Sequence, residues 1–308
     1  MTGRGGRGLL AAVSALLVAV APAAVVAPAP AGAAPATQTP SGGGARAASP
    51  LPPGLGAQER AALEQAGAYG GDPVRLLLVG DSIAMTLGVG LRVKSRPRYG
   101  VTILNHTTLG CDLDPGLDVR LAGVVAPATP GCRGWAAQWP LLVDQIRPQV
   151  AALGLGRWEV ADHLFEGRWV HIGEPLWDAH LETELQQAIA ILGEFGARVV
   201  LFTMPYVDPS DRQPDGQPWS ENTRARARAY NALVEQVARS EPGHVSVIDL
   251  NKMLDPDGAY CPTVDGVRVR WTDGVHVSRA GGLLLQGQIL PVIGRIGLED
   301  EAAARTPA

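Results

Sequence analysis

Ser82, Asp273 and His276 have the side chains and neighbours needed for nucleophilic chemistry through a covalent intermediate. A serine hydroxyl is a weak nucleophile until a base takes its proton, and an imidazole serves best when a carboxylate holds its other ring nitrogen. Ser82 stands in Gly80-Asp81-Ser82, and the other two in Trp271-Thr-Asp273-Gly-Val-His276. The three-residue step from Asp273 to His276, in a glycine-containing loop, lets the carboxylate accept from one ring nitrogen while the other faces outward. Each motif alone has a plain structural reading: Asp81 and Ser82 as a helix cap, Asp273 and His276 as a polar loop. Their combination is what points to a nucleophile with its base.

The elements around these motifs predict where they meet. Leu76 to Val79 is an unbroken apolar run, the pattern of a strand buried on both faces. Gly80 gives the turn and Ile83 to Leu91 continues at helical spacing, so Ser82 sits at a strand-to-helix junction whose N–H groups and dipole can hold an oxyanion. Further strands are expected at Val101–Leu104, Val150–Leu155, Val199–Thr203 and Val245–Leu250. Helices are expected at Pro140–Ile146 with the proline in the first turn, at Pro175–Phe195 ended by Gly196, and at Asn222–Arg239. The last runs from its N-cap Ser278 to Ile293, with Gly294 as the stop, after a hairpin turning at Asp265-Gly266. Alternating strands and helices imply an α/β fold with a parallel sheet covered on both faces, and ligands bind at the carboxyl ends of such strands. There the loops 156–163 and 169–171 gather charged and aromatic residues, and Pro205 to Pro218 forms a polar loop long enough for a lid or a binding edge.

The 308 residues carry a net charge of −4 with no block of like charge, which gives no support to a nucleic acid or an anionic membrane surface as partner. Residues 1–36 read as a signal peptide: Arg4 and Arg7, an apolar stretch from Leu9 to Val26 broken at Pro22, then cleavage after Ala33 or Ala36. An uncleaved membrane anchor is the competing reading, because the stretch approaches spanning length. Residues 37–71 are a Pro/Ala/Gly-rich linker with room for a short helix over 57–68, residues 72–297 one domain, and 298–308 a tail. An exported chain meets oxidising conditions, so Cys111 and Cys132 are expected to join, closing a loop of about 20 residues worth about 3 kcal/mol, with Cys261 left over. The alternative, a metal site, lacks a Cys-x-x-Cys or matching His pair, and Asp162, His163 and His171 have no recognisable ligand spacing. No metal and no cofactor is expected: no strand is followed by Gly-x-Gly-x-x-Gly, and Ser82 does not lie in a Gly-x-Ser-x-Gly elbow. Trp135, Trp139, Trp158 and Trp169 are candidates for a sugar platform, with core packing equally open for the first two. His106, His180 and His244 have no partner in sequence.

The order Gly80-Asp-Ser-Ile-Ala, Gly110-Cys111, Gly156-Arg-Trp-Glu-Val160, Asp249-Leu250 and Asp273-Gly-Val-His276 resembles the SGNH (GDSL-like) hydrolase superfamily, and more narrowly the actinobacterial SGNH domains often fused to membrane acyltransferases that modify envelope glycans. The resemblance implies a flavodoxin-like three-layer α/β/α sandwich with a five-stranded parallel sheet. It implies Ser82 as nucleophile, Asp273 and His276 as its relay, and the backbone N–H groups of Ser82 and Gly110 as oxyanion donors. Most members carry Gly-x-Asn-Asp where this chain has Gly156-Arg157-Trp158-Glu159. Arg157 is therefore the candidate for the missing third donor, against a surface arginine paired with Glu159 or Asp162. Asp81, Trp158 and Glu159 are the candidates for substrate binding. The function implied is a secreted esterase forming an acyl-serine on O-acyl, chiefly O-acetyl, esters of envelope or extracellular glycans. Two alternatives stay open: an O-acyltransferase to glycan hydroxyls, with a membrane acyltransferase partner in the envelope, and a glycan-binding module without catalysis.

Overall fold

Leu76, Leu77, Leu78 and Val79 have no exposed surface, and they form the middle of β1 (Val74–Gly80). The computed structural model describes residues 73–127 and 132–305; the predicted signal peptide, linker and short helix at 57–68 lie outside them. β1 is flanked by β2 (Val101–Asn105) and, beyond β3 (Asp118–Leu121) and β4 (Val124–Pro127) in the chain, by β5 (Val150–Gly154). With β6 (Asp162–Phe165), β7 (Arg168–Val170), β8 (Arg198–Phe202) and β9 (Val245–Ile248) numbered in turn, the main sheet has the order β2-β1-β5-β8-β9, all parallel. These are the five strands expected, most within a residue or two of the predicted ends.

Helices cover both faces, as a parallel sheet requires. α1 (Ser82–Leu91) follows β1, and the short α2 (Ser95–Tyr99) leads into β2. α3 (Trp135–Ile146), α4 (Pro175–Leu192) and α5 (Arg224–Ser240) pack in sequence as one layer. α6 (Leu250–Leu254) is a single turn capped by Asp249, and α7 (Arg279–Arg305) packs on α1 as the other layer. Leu285, Ile289, Leu290 and Ile293 of α7 are fully buried, so its apolar length serves the core. Gly90 and Gly282 face each other across α1 and α7: a Cβ on Gly90 would lie 2.5 Å from the Gly282 Cα.

Four expectations need correction. Pro140 lies inside α3, which starts at Trp135, so the proline removes one internal hydrogen bond from a helix held by its buried Trp135, Trp139 and Val143. α4 stops at Leu192, with Gly193 as its cap, before a 3₁₀ turn in which Phe195 takes a left-handed conformation. α7 passes through Gly294 and replaces most of the expected tail, because its buried face runs on through Ile296 and Leu298. The loops expected at 156–163 and 169–171 run into strands β6 and β7, which with β3 and β4 form a second, antiparallel sheet of order β4-β3-β6-β7. Its hairpins turn at Ala122-Gly123 and Glu166-Gly167, where both residues have positive φ, as at Asp265-Gly266 in the expected hairpin of β10 (Thr263–Val264) and β11 (Val267–Arg268).

Arg270 and Asp255 form a fully buried ion pair that ties the segment 270–277 to the rest of the domain. Arg270 Nη2 donates to Asp255 Oδ2 at 2.9 Å and to the Tyr206 carbonyl at 3.0 Å, and Nη1 to the Val275 carbonyl at 3.4 Å. Asp255 also accepts from the N–H groups of Tyr206 and Cys261, and burial pushes its carboxyl above the ordinary range against the pull of Arg270. Removing the guanidinium would leave this carboxyl buried and unpaired. Arg270→Ala is expected to destabilise the domain by about 3–5 kcal/mol in urea unfolding, and a change below about 1 kcal/mol would contradict that assignment.

Candidate active site

Gly80 takes φ +129°, and a Cβ on it would lie 1.9 Å from the Gly154 carbonyl oxygen, so only glycine lets β1 turn this close to β5. Asp81 N–H then donates to that same carbonyl at 2.9 Å. Asp81 is the N-cap of α1: its Oδ1 accepts from Ile83 N–H at 2.8 Å and Ala84 N–H at 3.2 Å, and its Oδ2 from Arg157 N–H at 3.4 Å. Ser82 is left as the first helical residue, its own N–H without a partner among the described residues, just past the carboxyl end of β1.

The chain returns to this point 194 residues later. His276 Nε2 lies 2.8 Å from Ser82 Oγ, and His276 Nδ1 lies 2.7 Å from Asp273 Oδ2. An ionised carboxylate only accepts, so Nδ1 carries the ring proton and the Nε2 lone pair faces the hydroxyl. Asp273 Oδ1 takes the N–H groups of Val275 at 2.8 Å and His276 at 3.1 Å. Partial burial pushes the Asp273 carboxyl upward, but the hydrogen bond from His276 and the two backbone N–H groups outweigh it and hold it below its ordinary value. Gly274, at φ +74°, has no room for a Cβ, which would lie 2.0 Å from the Asp208 carbonyl oxygen, and Asp208 N–H donates to the Gly274 carbonyl at 2.8 Å. The loop from Pro205 is thus clamped to the Asp273–His276 turn at its start, with Tyr206 and Val207 buried, rather than standing open as a lid.

Gly110 lies buried with φ +67° beyond the end of β2, in a loop fastened on both sides. Upstream, Thr108 N–H donates to the Gly80 carbonyl at 2.8 Å. Downstream, Cys111 lies against Cys132 with its sulfur joined to that of Cys132, and Asp112 pairs with His163 at 3.0 Å where both side chains are fully buried. His163 is therefore neither loop nor metal ligand: it stacks on Trp177 at 4.4 Å and turns its other ring nitrogen to the Ala161 carbonyl. Sequence separation hid this pair, as it hid His180 against Asp114.

Two substrate-binding candidates are corrected. Asp81 is 1 % exposed and Glu159 fully buried, so neither meets a substrate from solution. Glu159 Oε2 accepts from Gly156 N–H at 2.8 Å, while burial, with Asp112 and Asp81 nearby, pushes its carboxyl well above the carboxylate range. It braces the Gly156 turn through that hydrogen bond. Trp158 is half-buried against Val119 and Ala161. Arg157 pairs with neither Glu159 nor Asp162; Arg226 and Arg120 hold Asp162, at 2.7 and 3.4 Å. One guanidinium nitrogen of Arg157 is buried with no partner among the described residues, and burial lowers its pKa against the opposing charges of Glu221 and Asp81. Trp135 and Trp139 are core residues, and Trp169 carries the Arg120 guanidinium on its face at 4.0 Å. The aromatic beside the relay is one the sequence reading passed over: Trp271, exposed, with its ring 6.0 Å from His276. Its place two residues before Asp273 was the available signal. A cavity behind the Ser82 turn, walled by Asp81, Ala84, Gly154 and Thr203, has only about 10 Å³ of space. A wider cleft of about 520 Å³ opens between Asn105–Thr108 and α3.

Burial pushes the Asp81 carboxyl up to about 6, against the hydrogen bonds from Ala84, Ile83 and Arg157. A buried acid whose folded value is raised from 3.8 favours the fold fully below about pH 4, and the advantage is lost as pH rises to about 6. The stability of Asp81→Asn relative to the parent should therefore improve between pH 4 and 6, read by urea unfolding at each pH. A difference flat across that window would contradict the burial argument.

The family profile described as "SGNH domain (fused to AT3 domains)" matches residues 52–291. Among solved structures, TesA is similar at 18 % identity over 72 % of this chain and 99 % of that one, with a TM-score of 0.43. Axe2, an acetylxylan esterase from Geobacillus stearothermophilus, is similar at 18 % identity over 72 % and 95 %, TM-score 0.43. LAE5, an alpha/beta hydrolase enzyme from the metagenome of Lake Arreo, is similar at 17 % identity over 73 % and 97 %, TM-score 0.44. No curated protein matches. With a profile match over well more than half its length, and with the five-stranded parallel sheet the fold requires, the chain belongs to the SGNH domain family and is an enzyme of the ester hydrolase or acyltransferase kind.

Proposed function

We propose that this chain is an exported serine esterase that removes O-acyl groups, chiefly O-acetyl, from envelope or extracellular glycans by way of an acyl-Ser82 intermediate. The observation that carries the proposal is the relay itself, Ser82 Oγ to His276 at 2.8 Å and His276 to Asp273 at 2.7 Å. His276 Nε2 takes the hydroxyl proton as Oγ bonds to the ester carbonyl carbon, and the carbonyl oxygen becomes an oxyanion. The N–H groups of Ser82 and Gly110 receive that charge, and Arg157 supplies the donor that an asparagine gives in most relatives. The carbonyl re-forms, the bond to the sugar oxygen breaks, and His276 returns its proton to that oxygen. Water then enters by the same route, its proton going to His276 and its oxygen to the acyl carbon, and Ser82 leaves with the proton restored. Arg4, Arg7, the apolar stretch to Val26 and the joined cysteines support export.

Transfer to a glycan hydroxyl is a second reading, favoured by the family's description as fused to AT3 domains. The same acyl-enzyme serves, and only the attacking oxygen differs. Mass spectrometry of products, free acetate against acetylated glycan, separates the two.

Ser82→Ala is expected to lower turnover of 4-nitrophenyl acetate by up to about 10⁶, with loss of fluorophosphonate labelling; turnover equal to the parent's would end the proposal. Asp273→Asn should cost about 10⁴ through the wrong imidazole tautomer. Arg157→Ala should lower kcat about 10²–10³-fold with little change in KM. An unchanged kcat would remove Arg157 from the oxyanion site.

A further inference from the structure

Trp271 is unlike the other tryptophans of the chain. Of the seven, it alone is exposed, at 52 %; Trp135, Trp139 and Trp177 are buried, and Trp158, Trp169 and Trp219 are half-covered by their neighbours. Trp169 has the Arg120 guanidinium on its face, and Trp219 donates its indole N–H to Asp211. The Trp271 indole N–H has no partner among the described residues, and its one ring neighbour is His276, edge to face at 6.0 Å.

An indole left in water forgoes the burial that stabilises its relatives in the core, so its place calls for an explanation outside folding. The backbone beneath it is fixed. Trp271 N–H donates to the His276 carbonyl at 2.9 Å, Gly274 N–H to the Trp271 carbonyl, and the preceding Arg270 is the buried anchor of the segment. The ring is therefore presented by a short closed turn that also holds both members of the relay, and little order has to be gained when something binds against it.

We propose that Trp271 is the platform for the sugar ring that bears the ester, its face against the ring carbons and its N–H toward a hydroxyl. This rests on the glycan-esterase reading above and gives that reading its substrate class: an acyl group carried on a pyranose, rather than an ester of an open-chain alcohol. The leaving oxygen must come within reach of His276 Nε2, and an alcohol attached to that oxygen then lies beside the residue that flanks the imidazole. A flat, amphipathic surface there suits a ring with carbon–hydrogen faces and a polar rim, and does little for a small aliphatic alcohol.

The test compares parent, Trp271→Ala and Trp271→Phe on ethyl acetate and on mono-O-acetylated methyl glucoside, N-acetylglucosaminide and xyloside, with acetate release as the readout. In the alanine variant kcat/KM for the best sugar ester should fall at least tenfold more than kcat/KM for ethyl acetate, mainly through KM. The phenylalanine variant should recover most of it. Equal losses on both substrates would mean that Trp271 only props His276, and no loss on either would mean that it does nothing here; both overturn the proposal. A parent that turns over ethyl acetate but no sugar ester overturns it too, while leaving the serine chemistry intact. A parent inactive on every ester removes the esterase reading, and saturation-transfer NMR of the Ser82→Ala protein with methyl glycosides then decides separately. Contact of the ring carbons with an indole in that protein, lost in Ser82→Ala/Trp271→Ala, supports the platform, and no contact overturns it.

Discussion

The hydrogen bond between Ser82 and His276 sets the terms for the rest of the molecule, because it joins the first turn of the domain to a loop almost at its end. Nothing local holds the two together. β1 must carry Ser82 to the rim of the sheet, and β11, Arg270 and the Asp273–His276 turn must bring the imidazole back to within hydrogen-bond reach. That explains why buried polar groups, each costly on its own, concentrate around these two segments. Asp81, Glu159, Asp112, His163, Arg270 and Asp255 all lie in the interior and each uses its hydrogen bonds to hold a backbone turn or a neighbouring loop. An apolar core fixes a sheet to within the tolerance of packing, whereas directed bonds fix a loop to within tenths of an ångström.

The backbone makes the same point. Gly80 and Gly274 are glycines because the chain passes so close to another carbonyl that a methyl group would collide. One lies two residues before Ser82 and the other directly after Asp273. At these two places the close approach of main chain leaves no room for a side chain, beside Ser82 and the Asp273–His276 turn.

Much of this was legible in the sequence, and the rest was hidden for physical reasons. The five parallel strands announced themselves because they are buried on both faces and read as apolar runs. The relay announced itself because Gly-Asp-Ser and Asp-x-x-His are each local, with the carboxylate and imidazole on one turn. The second sheet stayed hidden because its strands are three or four residues long and β4 is exposed throughout, leaving no periodicity to read. Asp81 and Glu159 were misjudged because a charged residue beside a nucleophile suggests a ligand, while only coordinates reveal that it is sealed from water. Asp112 with His163 could not be foreseen from two residues 51 apart. Pro140 and Gly294 bounded helices on paper but lie inside them in the fold, since tertiary burial along α3 and α7 outweighs one lost hydrogen bond or one flexible residue.

The glycine seam between α1 and α7 has a consequence for how the enzyme can change. Ser82 opens α1 and His276 stands just before α7, so the hydrogen-bonded pair rides at the heads of two helices that touch main chain to main chain at Gly90 and Gly282. The spacing of the chemistry is thus gauged at a contact that no substrate ever meets. Natural or laboratory variation that widens the seam would detune the relay from a distance, whereas variation at Trp271 or along the rim can alter what is accepted while the gauge stays set.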